Sequence, residues 1–193
     1  MIPSLVLASS SPYRAELLQR LGVPFIQDRP DVDETALSHE TPRETALRLA
    51  ETKARHIANR HSGSVIIGSD QLASLNGEAL GKPGTFQNAQ TQLRRLSGQS
   101  VTFHTAICIL DTRNGQCHLH EVPCEVSYRE LTPQQIESYL RQEPAFDCAG
   151  AARIEALGIS LTRYVRCDDP TALIGLPLIA VVDLLNQCGI AIP

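Results

Sequence analysis

Tryptophan is missing from this chain, methionine occurs once, and aromatic residues amount to 4% of 193, so its core must be mostly aliphatic. An excess of basic charge is also missing. Seventeen Lys and Arg against 21 Asp and Glu leave a net charge of −4, which argues against a nucleic-acid backbone binder. Any phosphate binding must therefore be local, from a few placed cations. No apolar run approaches the ~18 residues that a membrane span needs. The longest, Leu173 to Leu185, is broken by Gly175 and Pro177 and carries Asp183. The six cysteines, at 108, 117, 124, 148, 167 and 188, include no C-x-x-C pair. They read as reduced, mostly buried thiols of a cytoplasmic protein. Met1 to Ala8 lacks a basic stretch and runs straight into a strand-like segment, so no signal peptide is expected. Neither G-x-S-x-G nor G-x-G-x-x-G is present. Gly77 to Lys82 fails as a phosphate loop, because Pro83 stands where Ser or Thr should hold magnesium.

What is there suffices for one substantial core or two small lobes, with 42% hydrophobic and 20% charged residues. Leu5 to Ala8 reads as a buried strand. Ser11 and Pro12 then cap and open a helix that stops near Gly22. A strand near Phe25 leads into the acidic loop Asp31 to Glu34. Thr41-Pro42-Arg43-Glu44 is a capping box for a helix to about Asn59, and Thr132 to Gln135 is a second, for a helix to about Arg141. Further helices are expected from Thr85 to Gly98 and from Pro177 to Gly189. Strands are expected at 65–67, 101–110, 117–128 and 159–165, and Asn76-Gly77 signals a hairpin. Interleaved helices and strands without repeats or linkers make residues 1–193 one α/β unit: a mixed central sheet flanked by helices, two lobes around a cleft.

Certain charges stand where a fold would not place them for its own sake. Asp70 closes the apolar strand at 65–67, and the hairpin returns Lys82 toward it. Sharing one site would require a bulge at Gly81 or Gly68-Ser69, since a two-residue turn puts the two on opposite faces. Lys53 lies in the apolar arc of Ala46, Leu49, Ala50 and Ile57, where a helix normally excludes lysine. Arg14 sits at a helix start and Glu34 in the acidic loop. Carboxylates and cations so placed suit a metal-assisted reaction on a polyphosphate. Cys117, His118, His120 and Cys124 suggest zinc, but they lack finger spacing, and His-x-His on a strand is as readily a surface face.

Leu7-Ala8-Ser9-Ser10-Ser11-Pro12-Tyr13-Arg14 resembles the S-x-S-P-x-R signature of the Maf family of nucleoside triphosphate pyrophosphatases. Asp31 to Glu34, the helix carrying Lys53, Gly68 to Gln71, Gly81-Lys82-Pro83, Leu96-Ser97-Gly98 and Gly175 to Leu178 match in order, over nearly the whole chain. The resemblance implies a Maf/ITPase-like fold, cleavage between the α and β phosphates, a divalent metal (magnesium or manganese), and commonly a homodimer. It makes Asp70 the catalytic residue, as base or metal ligand, with Glu34 completing the metal's oxygen shell. Ser9, Arg14, Lys53 and Lys82 become the triphosphate ligands. Tyr13, Gln71 and Glu155 resemble the substrate-selecting positions of the branch that acts on 7-methyl-GTP, where the pyrimidine branch carries Arg, Thr and Gln. The apolar neighbours of Glu155 suggest a buried carboxylate. Gly150-Ala151-Ala152-Arg153 replaces a more usual Gly-Ser-Phe-Lys-like run, and Tyr13 stands where Trp is common. Alternatives are the same reaction on dTTP, UTP or another modified nucleotide, and a non-catalytic nucleotide-binding regulator of cell division.

Overall fold

Strand β1 (Ser4–Ala8) is apolar and almost wholly buried because it has parallel neighbours on both sides, β2 (Phe25–Asp28) and β3 (Ser64–Leu75). Parallel pairing requires crossovers. Helix α1 (Pro12–Gln19) supplies the first and α2 (Pro42–Ala58) the second. The remaining strands, β4 (Glu78–Leu80), β5 (Ser100–Asp111), β6 (Gln116–Tyr128) and β7 (Thr162–Cys167), pair antiparallel. Together they make a mixed sheet of order β2-β1-β3-β5-β6-β7, with β4 attached to β3. Helices α3 (Phe86–Leu96), α4 (Pro133–Gln142), α5 (Pro170–Ile174) and α6 (Leu178–Gln187) complete the flanks. The expected α/β architecture is the one found. This computed structural model describes residues 3–192. Met1 and Ile2, which begin the segment read as free of a signal, lie outside the described residues.

Three apolar clusters fill the layers. Helices α1 and α6 cover one sheet face over Leu7, Val65, Ile67 and Ile107. Helix α2 covers the other, over Val6, Ile66 and Ala106. Helices α3 and α4 enclose a third around Val101, Val126 and Tyr128.

Four expectations need correction. The strand at 65–67 does not end before Asp70: β5 pairs it from Val65 to Ser74, so Asp70 lies within β3. The strand expected from Ile159 begins instead at Thr162, whose ladder partner is Tyr128. Residues Leu157–Leu161 form a 3-10 turn with Ile159 turned out to solvent. Helix α5 is an addition, capped by the Asp169 carboxylate on the Thr171 amide. Nor are all six cysteines free. Cys124 and Cys167 face each other across β6 and β7 with Cα atoms 4.5 Å apart, and a disulfide joins them. Forty-three residues separate the pair in sequence, and the β6–β7 register alone makes them neighbours.

One close approach sets the site. A Cβ at Gly68 would overlap the Ala50 carbonyl oxygen and crowd Ala54, so α2 rests directly on the β3 backbone there. Gly68→Ala should destabilise the protein by about 1–3 kcal/mol, the usual cost of overpacking. A thermal melt unchanged from wild type would contradict this packing.

Candidate active site

The contact at Gly68 lays one face of α2 over β3. The capping box of Thr41 and Glu44 fixes the start of that helix, and its buried stripe runs through Ala46, Leu49, Ala50, Lys53, Ala54 and Ile57. Lys53 therefore points at the sheet and is 5% exposed. Ile66, Gly68 and Asp70 share the α2 side of β3, as strand alternation requires. The ammonium of Lys53 meets the Asp70 carboxylate at 2.5 Å, and Glu34, reaching in from the acidic loop, at 2.6 Å. Asp70 is 6% exposed, whereas the Glu34 side chain is 58% exposed. Burial pushes the Glu34 carboxyl up, but the bond and charge of Lys53, helped by Lys82 and Arg14, hold it below the usual range.

The lysine bonded to Asp70 is thus Lys53, not Lys82. The hairpin ladder ends at Ala73 opposite Leu80, so Lys82 lies beyond it on exposed chain. Strict alternation no longer applies there, and no bulge is required. Lys82 reaches the same cavity from its rim.

The opposite face of β3 serves the other wall. Ser69 donates from Oγ to the Gly175 carbonyl at 3.0 Å, and Arg14 donates from Nε to that same oxygen at 2.8 Å. A second Arg14 nitrogen, Nη1, donates to Ser9 Oγ at 3.4 Å. Burial lowers the pKa of the Arg14 guanidinium, while Asp70 and Glu34 pull it back up. Ser11 caps α1 by accepting from the Arg14 amide at 3.4 Å, and this places the arginine on the cavity floor.

Gln71 sits between the walls. Its Nε2 donates to Thr105 Oγ1 at 2.9 Å and to the carbonyls of Ala172 and Leu173 at 2.9 and 3.1 Å. With the amide nitrogen engaged by α5, what Gln71 can offer a ligand is its oxygen. Tyr13, Gln71 and Glu155 line the same cavity, of about 500 Å³, as Ser9, Arg14, Glu34, Lys53, Asp70 and Lys82. Every site residue anticipated from sequence therefore borders one space. Glu155 itself is exposed rather than buried, because Ile154 takes the inward position beside it. Desolvation by the pocket wall still raises its pKa, but only in part, since the side chain keeps access to water.

The description "Maf-like protein" belongs to the family model that matches residues 4–188. The chain belongs to the Maf family. Among its relatives is the 7-methyl-GTP pyrophosphatase of Cupriavidus metallidurans, 49% identical over 187 residues, covering 97% of this chain and 94% of that one. The protein of the same name in Pseudomonas syringae pv. tomato is 49% identical over 192 residues and the full length of both. A HAM1 protein from Coxiella burnetii has a similar fold, with a TM-score of 0.50 and 23% identity over 67% of this chain and 74% of that one. None of the helices described in this Maf structure is long and apolar enough to cross a membrane.

Sequence reasoning about the Maf site missed three parts: the shared Gly175 carbonyl, Thr105, and Asp147 on the pocket wall. The dipeptide Asp169-Pro170, a helix-start signal, could have revealed α5 and with it the first two. No group of three or more metal-ligating side chains exists among the described residues. Within the Cys117 to Cys124 stretch, Cys124 is engaged by the disulfide to Cys167.

Proposed function

We propose that this Maf protein hydrolyses 7-methyl-GTP between its α and β phosphates, releasing 7-methyl-GMP and pyrophosphate. The observation that carries the reading is the Lys53 ammonium held between Glu34 and Asp70, with Arg14 beside them and Lys82 at the rim. Glu34 and Asp70 with these three cations match the needs of a charged triphosphate and an attacking water. Relatives named for this substrate at about half identity over nearly full length support the choice of base.

Arg14, Lys53 and Lys82 balance charge on the phosphates and on the departing pyrophosphate. Arg14 is held at Nε and Nη1, so its remaining nitrogen, Nη2, is the one to offer a phosphate oxygen. Asp70 uses Oδ1 on Lys53, and its second oxygen is the one to orient or deprotonate water. Glu34 and Asp70 both reach the Lys53 ammonium through one oxygen each, and their second oxygens are hard donors. Magnesium or manganese is bound through one or two carboxylates plus phosphate and water oxygens, so this donor set fits such a cation. When bound, the metal would neutralise phosphate charge and lower the pKa of water. The Tyr13 ring and the Glu155 carboxylate suit a methylated guanine, which is cationic and carries N–H donors on its Watson–Crick edge.

Pyrophosphate release with magnesium or manganese, measured across 7-methyl-GTP, GTP, dTTP, UTP and CTP, tests the proposal. Turnover should be highest with 7-methyl-GTP. A preference for pyrimidines would overturn the substrate, and no turnover of any would leave a binding protein.

A further inference from the structure

The face of Tyr13 is already covered by a cation. The Arg153 guanidinium lies over the ring at 5.4 Å from its centroid. Its Nη2 donates to Asp147 Oδ1 at 3.3 Å, and the Tyr13 hydroxyl donates to Asp147 Oδ2 at 3.5 Å. An aromatic ring and a carboxylate thus hold a flat, delocalised cation between them. Burial pushes the Asp147 carboxyl up, but its own backbone amide, Arg153 and Cys148 outweigh that and keep it low, hence ionised at neutral pH.

A 7-methylguanine ring is chemically the same kind of object: planar, with one positive charge spread over its atoms. We infer that Asp147 is a specificity-determining residue that pairs with the positive charge of the N7-methylated base, and that Arg153 occupies the base's place on Tyr13 until substrate displaces it. The inference rests on the proposed function and deepens it.

Four features support an exchange of cations. The Asp147 side chain is 58% exposed and that of Arg153 29%, so neither is locked in place. Arg153 Nε is buried without a hydrogen-bond partner, so its resting pose leaves a donor unsatisfied and is poorer than it could be. Two residues before Arg153, Ala151 holds a left-handed backbone at φ 54°, a conformation alanine adopts only against a penalty. Ala152, small and buried, lines the same cavity as Tyr13 and leaves room there that a bulkier side chain would fill. An unmethylated guanine is neutral and cannot replace the guanidinium charge for charge, so Asp147 favours the methylated base.

The test compares 7-methyl-GMP with GMP in equilibrium binding, and 7-methyl-GTP with GTP in kcat/KM, for wild type, Asp147→Asn and Arg153→Ala. Asp147→Asn should cut the methylated-to-unmethylated ratio about tenfold in both assays. Arg153→Ala should tighten 7-methyl-GMP several-fold, since the base no longer competes for Tyr13. A ratio unchanged by Asp147→Asn overturns the inference, as does weaker 7-methyl-GMP binding in Arg153→Ala. A wild type that releases no pyrophosphate from 7-methyl-GTP would sink the proposed function, while the binding ratios would still decide the role of Asp147. Thermal melts of both variants separate a loss of fold from a loss of selectivity.

Discussion

Asp70→Asn is expected to lower kcat/KM for 7-methyl-GTP by about a thousandfold, within the range that loss of a positioned acid or base produces. The substitution keeps size and shape, and the amide oxygen can still accept from Lys53, so folding should be preserved. What disappears is the negative charge on the oxygen that Lys53 leaves unused. An amide neither takes a proton from water nor holds a divalent cation well. Both possible roles of Asp70 thus predict the same loss of turnover, and they differ in substrate binding. If Asp70 acts on water alone, KM should hardly change. If it holds the metal, the metal concentration for half-maximal rate should rise as kcat falls. Activity within tenfold of wild type would remove Asp70 from the chemistry altogether.

Lys53→Met should cost both activity and stability. Lys53 is the common partner of a buried carboxylate and an exposed one. Breaking a buried pair by removing one member costs about 3–5 kcal/mol. The lower end applies here, because Glu34 can turn into solvent and only Asp70 is left stranded. Rate should fall about a hundredfold, since a cation next to the phosphates is lost. Lys53→Arg should not restore it. The two contacts, at 2.5 and 2.6 Å, converge on one compact nitrogen, and a planar fork carries its donors at other positions. Denaturant unfolding and pyrophosphate release check the two effects separately. A variant as stable as wild type would show that the Lys53–Asp70 pair contributes nothing net to the fold.

Much of this was legible in the chain because it depends on local pattern. Both capping boxes are seen bond for bond, Thr41 with Glu44 and Thr132 with Gln135. Lys53 betrayed itself by periodicity alone, since a charge in an apolar helical stripe needs a buried partner. What escaped depends on register. Nothing local says that β5 continues to pair β3 past Asp70, that the ladder stops at Leu80, or that Cys124 faces Cys167. The exposure of Glu155 was misjudged for a related reason. Apolar neighbours suggest burial, but the chain at 150–161 is turn rather than strand, so adjacent residues point in unrelated directions.

The Gly175 carbonyl accepts from both Arg14 and Ser69. All nine side chains that line the cavity and were anticipated from sequence, from Ser9 to Glu155, are synthesised before it. At about 5–20 residues per second, a ribosome would hold a chain with every reactive group for some seconds before the atom that fastens Arg14 is made. Such a chain has the right chemistry and no lock. Completion of the pocket is therefore a late event in the synthesis of each molecule.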